Sequence, residues 1–563
     1  MNTEGFNLAN DHIPGEHVNE YLHNFAKRFD LERYMRFNST VTSAIDQGPS
    51  GWTLYITQQI SQPTPPTYQI STTKLIVATG LTSEPYMPQL PGKATFNAPI
   101  YHTSEFAKAE GGLGSFQNVV LLSGAKFSWD IACAYASAGV QVDWVIRASG
   151  HGPCWMMPNR LTPLKIIPEY LLQTRLVTWL SPCIWDDGFA SIRNWFHRSW
   201  LGRKIVDAFF AKMQHSVEEI NDYGGHEETE KLRPWDDVFF IGTNRGLLNY
   251  GPGVDFFEFV RSGRVRVHVA DITHLSQHTV HLSDGTALRD ADVLICGTGW
   301  KDTPQLQFIS EKELGLPGHL AASFQQHIAA AEAQIFETCP KLRHQPAPRH
   351  NKPMTDDVKE LVPEPYRLYR FMVPPAFIQI RTLAFAGAYR SPATTVIAQT
   401  QALWITAFFD GQVPTLAASL DDNNDNNNKA LQSIMYETVL HTQFGKWRYS
   451  RGFGARFPEL WFDCLPYVDL MLRDIGVRNQ RKKTWWAERF TPYMPTDYVG
   501  IVDEYLALKG GREVSRKVDI ECEGHGGKDC AEVFEDGSDS RVDVARSTSL
   551  ADSAGLGQRN RRR

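Results

Sequence analysis

The sequence predicts an α/β fold: two nested Rossmann-like dinucleotide-binding units with a helical insertion. Three observations carry this. Residues 117–146 read as strand, small-residue turn, helix, strand. Two other apolar runs, Thr73 to Gly80 and Ala291 to Gly299, end alike in a small residue, Thr and Gly. Between the first unit and the second of these runs, residues 151–235 change to helical spacing rich in Leu, Ile and Trp.

Taken in chain order, Val18 to Leu31 spaces apolar residues three and four apart, which predicts a helix. Met35 to Val41 and Trp52 to Ile56 predict short strands. Thr73 to Gly80 predicts a buried strand, and Pro85, Pro88 and Pro91-Gly92 then take the chain out as a loop. Gln117 to Leu122 predicts a second buried strand, followed by a helix over Trp129 to Ala138 and a strand over Val140 to Ile146. After the insertion, strands are expected at Val238 to Ile241, Val265 to Val269 and Thr279 to Leu282, with a hairpin turn at Ser283-Asp284-Gly285. Ala291 to Gly299 and Leu383 to Gly387 predict buried strands, and Thr394 to Phe409 a long helix. Asp421 to Asn428 reads as a low-complexity surface loop, and the tail 511–563 as disordered. The boundaries that follow are 1–110 and 296–510 for one unit in two parts, 111–295 for the other, and 151–235 for the insertion.

Composition narrows the class of partner. The 563 residues are 42% hydrophobic and 21% charged with a net charge of -6, so a basic nucleic-acid face is not expected. No C-x-x-C pair occurs among the eight cysteines, and the tail group Cys522, His525 and Cys530 lacks an evident fourth ligand, so no metal site is expected. The N-terminus has no basic, then apolar, signal pattern, and no uninterrupted apolar run reaches membrane-spanning length. A cytoplasmic protein without stable membrane insertion is expected. Fifteen Trp and thirty-one Phe suit an apolar substrate space as well as a generous core.

The chemistry sits at the strand ends. A dinucleotide pyrophosphate binds at a helix N-terminus, where free N–H groups and the helix dipole face it. The turn that serves this reads G-x-G-x-x-G. Here it is Ser123-Gly124-Ala125-Lys126-Phe127-Ser128, with small residues at all three glycine positions. Arg147 ends the next strand about twenty residues on, where a cation suits the ribose 2′-phosphate of NADPH. The endings Ala78-Thr79-Gly80 and Gly297-Thr298-Gly299 supply small residues where the chain crosses between two nucleotide units.

With these features, the sequence resembles the flavin-containing monooxygenases and related fungal FAD-dependent enzymes of small-molecule pathways. The family's identifying stretch F-x-G-x-x-x-H-x-x-x-(Y/F) is matched by Phe96, Ala98 in place of Gly, His102 and Phe106. Lys126 and Asp130 match its helix start after the turn, and Gln401-Ala402-Leu403-Trp404 and Leu465-Pro466-Tyr467 match later segments. Baeyer–Villiger relatives end the identifying stretch with Trp and then Pro or Asp, whereas Phe106-Ala107 stands here.

The resemblance implies FAD and NADPH as cofactors and His102 as an organiser of the loop and cofactor site. Hydride from NADPH would reduce the flavin, and one atom of O2 would pass to a small apolar metabolite by hydroxylation, epoxidation or heteroatom oxygenation. A Baeyer–Villiger oxygenation and a non-catalytic NADP-binding relative that has lost FAD are the alternatives. The family opens with a G-x-G-x-x-G turn for FAD, and that motif occurs nowhere in the chain. The expectation is either a truncated gene or a real loss of part of the FAD site. The sequence singles out no catalytic side chain and leaves the oligomeric state open.

Overall fold

The computed structural model describes residues 13–511 apart from 14, 60–65, 109–112, 159–166, 243–244, 249, 251–252, 302, 319–321, 347–364, 418–423 and 451–452. The tail beyond 511, with Cys522, His525 and Cys530, lies outside the described residues. The chain divides into two compact units, 1–502 and 503–563, and the described part of the second, 503–511, is helical.

After helix α1 (Gly15–Arg28) come strands β1 (Ser39–Asp46), β2 (Trp52–Gln58), β3 (Thr67–Thr72), β4 (Leu75–Val77), β5 (Ile100–His102) and β6 (Asn118–Leu122). Helix α2 (Lys126–Ser137) leads to β7 (Gln141–Ile146) and β8 (Trp155–Pro158). Then follow β9 (Arg245–Leu248), β10 (Val265–Val269), β11 (Ile272–Ser276), β12 (Thr279–Leu282), β13 (Ala287–Leu288), β14 (Val293–Cys296), β15 (Gln307–Ile309) and β16 (Leu383–Phe385).

The centre is a parallel sheet in the order β10-β7-β6-β14-β5. A parallel sheet is covered on both faces, so its inner strands β6 and β14 are nearly continuous apolar runs, while β10 at the edge alternates with exposed Arg266. Alternate residues enter two different cores. Val119, Leu121, Val142, Trp144, Val293 and Ile295 face one, and Val120, Leu122, Val145, Leu294 and Cys296 the other. Around this unit the chain builds a second, in which β4 pairs in parallel with β16 and the meander β1-β2-β3 takes β15 on its β1 edge. β4 has β16 as its one strand neighbour among the described residues.

The insertion is mostly helical, with helices at Pro168–Leu172, Arg175–Leu180, Ala190–Arg198, Trp200–Asn221 and Glu227–Glu230. Its one described strand, β8, pairs in parallel with β9 beyond it. Ion pairs that lie wholly inside fasten it. Arg193 bonds the Asp187 carboxylate through both terminal nitrogens, and Arg175 bonds Asp469 and Glu488.

Several expected boundaries move. Val238–Phe240 is a 3-10 turn, not a strand, closed by the Phe240 N–H on the Asp237 carbonyl and the Ile241 N–H on the Val238 carbonyl. The first strand begins at Ser39 instead of Met35, and β3 was absent from the sequence reading. Part of the expected 421–428 loop belongs to the helix Asn424–Arg448.

His197 of the insertion is buried, and burial lowers its pKa to about 4 despite the bond to the Trp179 carbonyl. A histidine held below its unfolded pKa near 6.5 leaves stability whole above that pH and erodes it as pH falls toward 4. The interval amounts to up to about 3 kcal/mol. We expect urea titrations of His197→Gln to show a flatter loss of stability between these limits; an unchanged slope would contradict the assignment.

Candidate functional site

The turn after β6 adopts the conformation that a glycine would take most easily. Ser123 has φ +130, in the region L side chains rarely adopt. Three bonds hold it there. Its N–H donates to the Val145 carbonyl at 3.0 Å, its carbonyl accepts from the Trp144 indole at 2.6 Å, and its hydroxyl accepts from the Ala125 N–H at 3.1 Å. Gly124 is confined on its other side, since an added Cβ would lie 2.4 Å from the Gly152 carbonyl oxygen. Gly297 is equally confined, with Ser128 Oγ 2.4 Å from where its Cβ would be.

Helix α2 starts directly after this turn, and Ala125 at its N-cap offers no side-chain bond. The Ser128 hydroxyl is buried without a hydrogen-bond partner. An uncapped twelve-residue helix behind a tight turn of small residues, with an orphaned hydroxyl, fits a dinucleotide pyrophosphate. Lys126 pairs with Asp130 and lies against Gly246 of β9. Arg147 stands exposed just past the carboxyl end of β7.

His102 links this unit to the crossing chain. Its Nδ1 accepts from the Ser104 N–H at 3.2 Å, which leaves Nε2–H to donate to the Gly299 carbonyl at 2.9 Å. Trp300 meets the ring edge-on at 5.0 Å. Phe96 is wholly buried in the core on one side of the sheet, and Phe106 packs against the core on the other. The identifying stretch therefore clasps the sheet by both faces, with His102 between its anchors.

The segment that follows the first Thr-Gly end is tied to the second. The Tyr86 N–H donates to the Gly299 carbonyl at 2.9 Å, and the Thr298 hydroxyl donates to the Tyr86 carbonyl. Ser83, four residues past Thr79, donates to the Thr79 carbonyl. Gly80 and Gly299 have φ +66 and +83, and Gly387 beyond β16 has φ +78. A Cβ at any of the three would meet nothing within 4 Å, so the backbone there is open to a flat group. Those ends fit the approach of a flavin. A second G-x-G-x-x-G cradle for its pyrophosphate is not in this chain.

Arg245 escaped sequence reasoning. It opens β9 opposite Trp155, is buried, and lies 3.1 Å over the Trp461 ring. Its Nε and one terminal nitrogen have no hydrogen-bond partner, and the carboxylate that acts on it through space, Glu459, is paired with Arg390. Burial pushes its pKa well below the ordinary value. One Arg beside a glycine in a loop carries no spacing signal, so only the fold reveals it.

The description "Flavin-binding monooxygenase-like" belongs to the family model that matches residues 6–223. An FAD-dependent monooxygenase of Pyrenophora dematioidea is 30% identical, over 86% of this chain and 87% of that protein. The chain belongs to the flavin-dependent monooxygenases. The FAD-dependent monooxygenase rstn6 of Aspergillus nomiae is 29% identical, over 90% of this chain and 87% of that protein. Among solved structures, the polycyclic ketone monooxygenase of Thermothelomyces thermophila is similar at a TM-score of 0.48 and 13% identity, covering 82% of this chain and 76% of that one.

Positive φ at a non-glycine residue costs on the order of 1–3 kcal/mol. In this monooxygenase, Ser123→Gly is expected to raise the unfolding free energy by about 1 kcal/mol and leave dinucleotide binding in place. A loss of stability, measured by chemical unfolding, would show that the Ser123 bonds outweigh its strain.

Proposed function

We propose that this flavin-dependent monooxygenase uses NADPH and O2 to oxygenate a small apolar metabolite, with fungal natural-product chemistry as the setting and the cytoplasm as the compartment. The observation that carries the reading is the uncapped α2 N-terminus behind the Ser123 turn, followed by an exposed Arg147 at the end of β7. In this reading residues 111–295 hold NADPH, while 1–110 and 296–510 form the flavin part. No helix among the described residues is long and apolar enough to cross a membrane.

Ser123, Gly124, Ala125, Lys126 and Ser128 receive the pyrophosphate, and Arg147 pairs with the 2′-phosphate. Ala78, Thr79 and Gly80, together with Gly297, Thr298 and Gly299, let backbone and cofactor approach closely. His102 positions the second of these ends through the Gly299 carbonyl. Bound flavin supplies the redox chemistry and the activation of oxygen. The chain orients the partners and keeps water out.

Arg245 favours a second reading. A buried cation with unsatisfied nitrogens stabilises negative charge that develops beside it. Addition of an oxygen nucleophile to a ketone places such charge on the former carbonyl oxygen. A Baeyer–Villiger oxygenation therefore stands beside heteroatom oxygenation, although Phe106-Ala107 departs from that branch.

Products formed under 18O2 from a panel of apolar ketones, thioethers and alkenes, read by mass spectrometry, test the reading. One labelled oxygen per product is expected, and NADPH oxidation without any labelled product would overturn it. Arg147→Ala is expected to raise the KM for NADPH by roughly ten- to a hundredfold, the worth of a charged hydrogen bond, and to leave that for NADH nearly unchanged. Equal effects on both would remove Arg147 from the phosphate site. Arg245→Met is expected to lower kcat on ketones by about a hundredfold and to leave the KM for NADPH unaltered. An unchanged kcat would exclude it from the reacting centre.

A further inference from the structure

The short helix Trp485–Phe490 presents apolar rings to solvent from an unusually firm base. Trp485, Trp486 and Phe490 are 56%, 65% and 45% exposed. They touch one another, with ring centroids 4.5 Å apart for Trp485 and Trp486 and 5.2 Å for Trp486 and Phe490. The same helix buries Glu488. Its carboxylate accepts from Arg175 Nε at 2.5 Å, from the Tyr493 hydroxyl at 2.5 Å and from the Lys482 N–H at 3.1 Å. Arg175 is itself wholly buried and also pairs with Asp469. The aromatic ridge is thus bolted to the interior through buried charges, and it cannot fold back to hide its rings.

Charge is segregated around it. Between residues 483 and 490 lie Lys483 and Arg489 against Glu488 alone, while the whole chain carries -6. Glu488 is buried and engaged, so its charge does not offset the cations at the surface. Lys482 is turned to Asp497 at 2.7 Å. Lys483 is exposed beside the ridge, and the Arg489 guanidinium lies 4.1 Å over the Trp485 ring, at the level of the aromatics.

We propose that this ridge docks the protein on an anionic lipid surface. Trp rings settle at the interface between headgroups and acyl chains, and neighbouring Lys and Arg side chains gain from anionic headgroups. Adsorption that combines apolar burial with such attraction needs no spanning segment. The local excess of cations selects an anionic surface over a neutral one. The inference is independent of substrate and of cofactor content.

The test is co-sedimentation of the full chain with vesicles of phosphatidylcholine alone and of phosphatidylcholine with about one-third phosphatidylserine. Partition into the anionic vesicles is expected, weakening as salt is raised. The triple variant Trp485→Ser, Trp486→Ser, Phe490→Ser and the single variant Lys483→Glu act at exposed positions, and thermal unfolding is used to check that each stays folded. The triple variant is expected to lower partition by at least about tenfold, and Lys483→Glu to lower it for anionic vesicles only. No partition by the parent chain, or equal partition by parent and triple variant, would overturn the proposal. So would a dimer, seen by sedimentation velocity, that the triple variant dissolves, because a second copy would then own the ridge.

Discussion

The hydrogen bond from His102 Nε2 to the Gly299 carbonyl joins the two halves of the site. It links the end of β5 to the end of β14, two neighbouring strands of the parallel sheet. Gly299 then takes a second donor, the Tyr86 N–H, from the segment that follows the first Thr-Gly end. One carbonyl thereby ties the end of β5 and the Tyr86 segment to the chain beyond β14. His102 can do this only as the Nε2–H tautomer, and the Ser104 N–H on Nδ1 holds it in that form. These two bonds give a physical reason for a histidine at that place in the stretch.

The rigid frame comes from the sheet. Alternate residues of β6, β7 and β14 lock into different cores on the two faces. The carboxyl ends of β6, β7 and β14 are therefore set by packing over the whole strand and do not depend on the loops that follow. That is where an open parallel sheet binds its ligand. Strain is admitted there too. Ser123 holds positive φ because the Val145 carbonyl, the Trp144 indole and its own hydroxyl over-determine it.

Much of this was legible in the sequence. β6 and β14 are nearly continuous apolar runs and β7 and β10 are rich in Val, so all four lie within the expected segments. The turn was recognisable from three small residues although none of its glycine positions holds glycine. β3 was missed because its polar, half-exposed residues give no apolar signal. Val238–Phe240 misled because a buried apolar triplet looks the same in a strand and in a 3-10 turn. Arg245 was invisible for a deeper reason. Its burial with unsatisfied nitrogens arises from β8, β9 and the Trp461 loop meeting in space, which no local pattern encodes.

The central claim is that this chain works with a flavin that NADPH reduces and air reoxidises. Its most direct test is the visible absorption spectrum of the purified protein, before and after NADPH is added without oxygen and again after air is admitted. The account predicts a bound flavin spectrum that bleaches with NADPH and returns with air. A folded but colourless protein that acquires no flavin spectrum when FAD is supplied would contradict it.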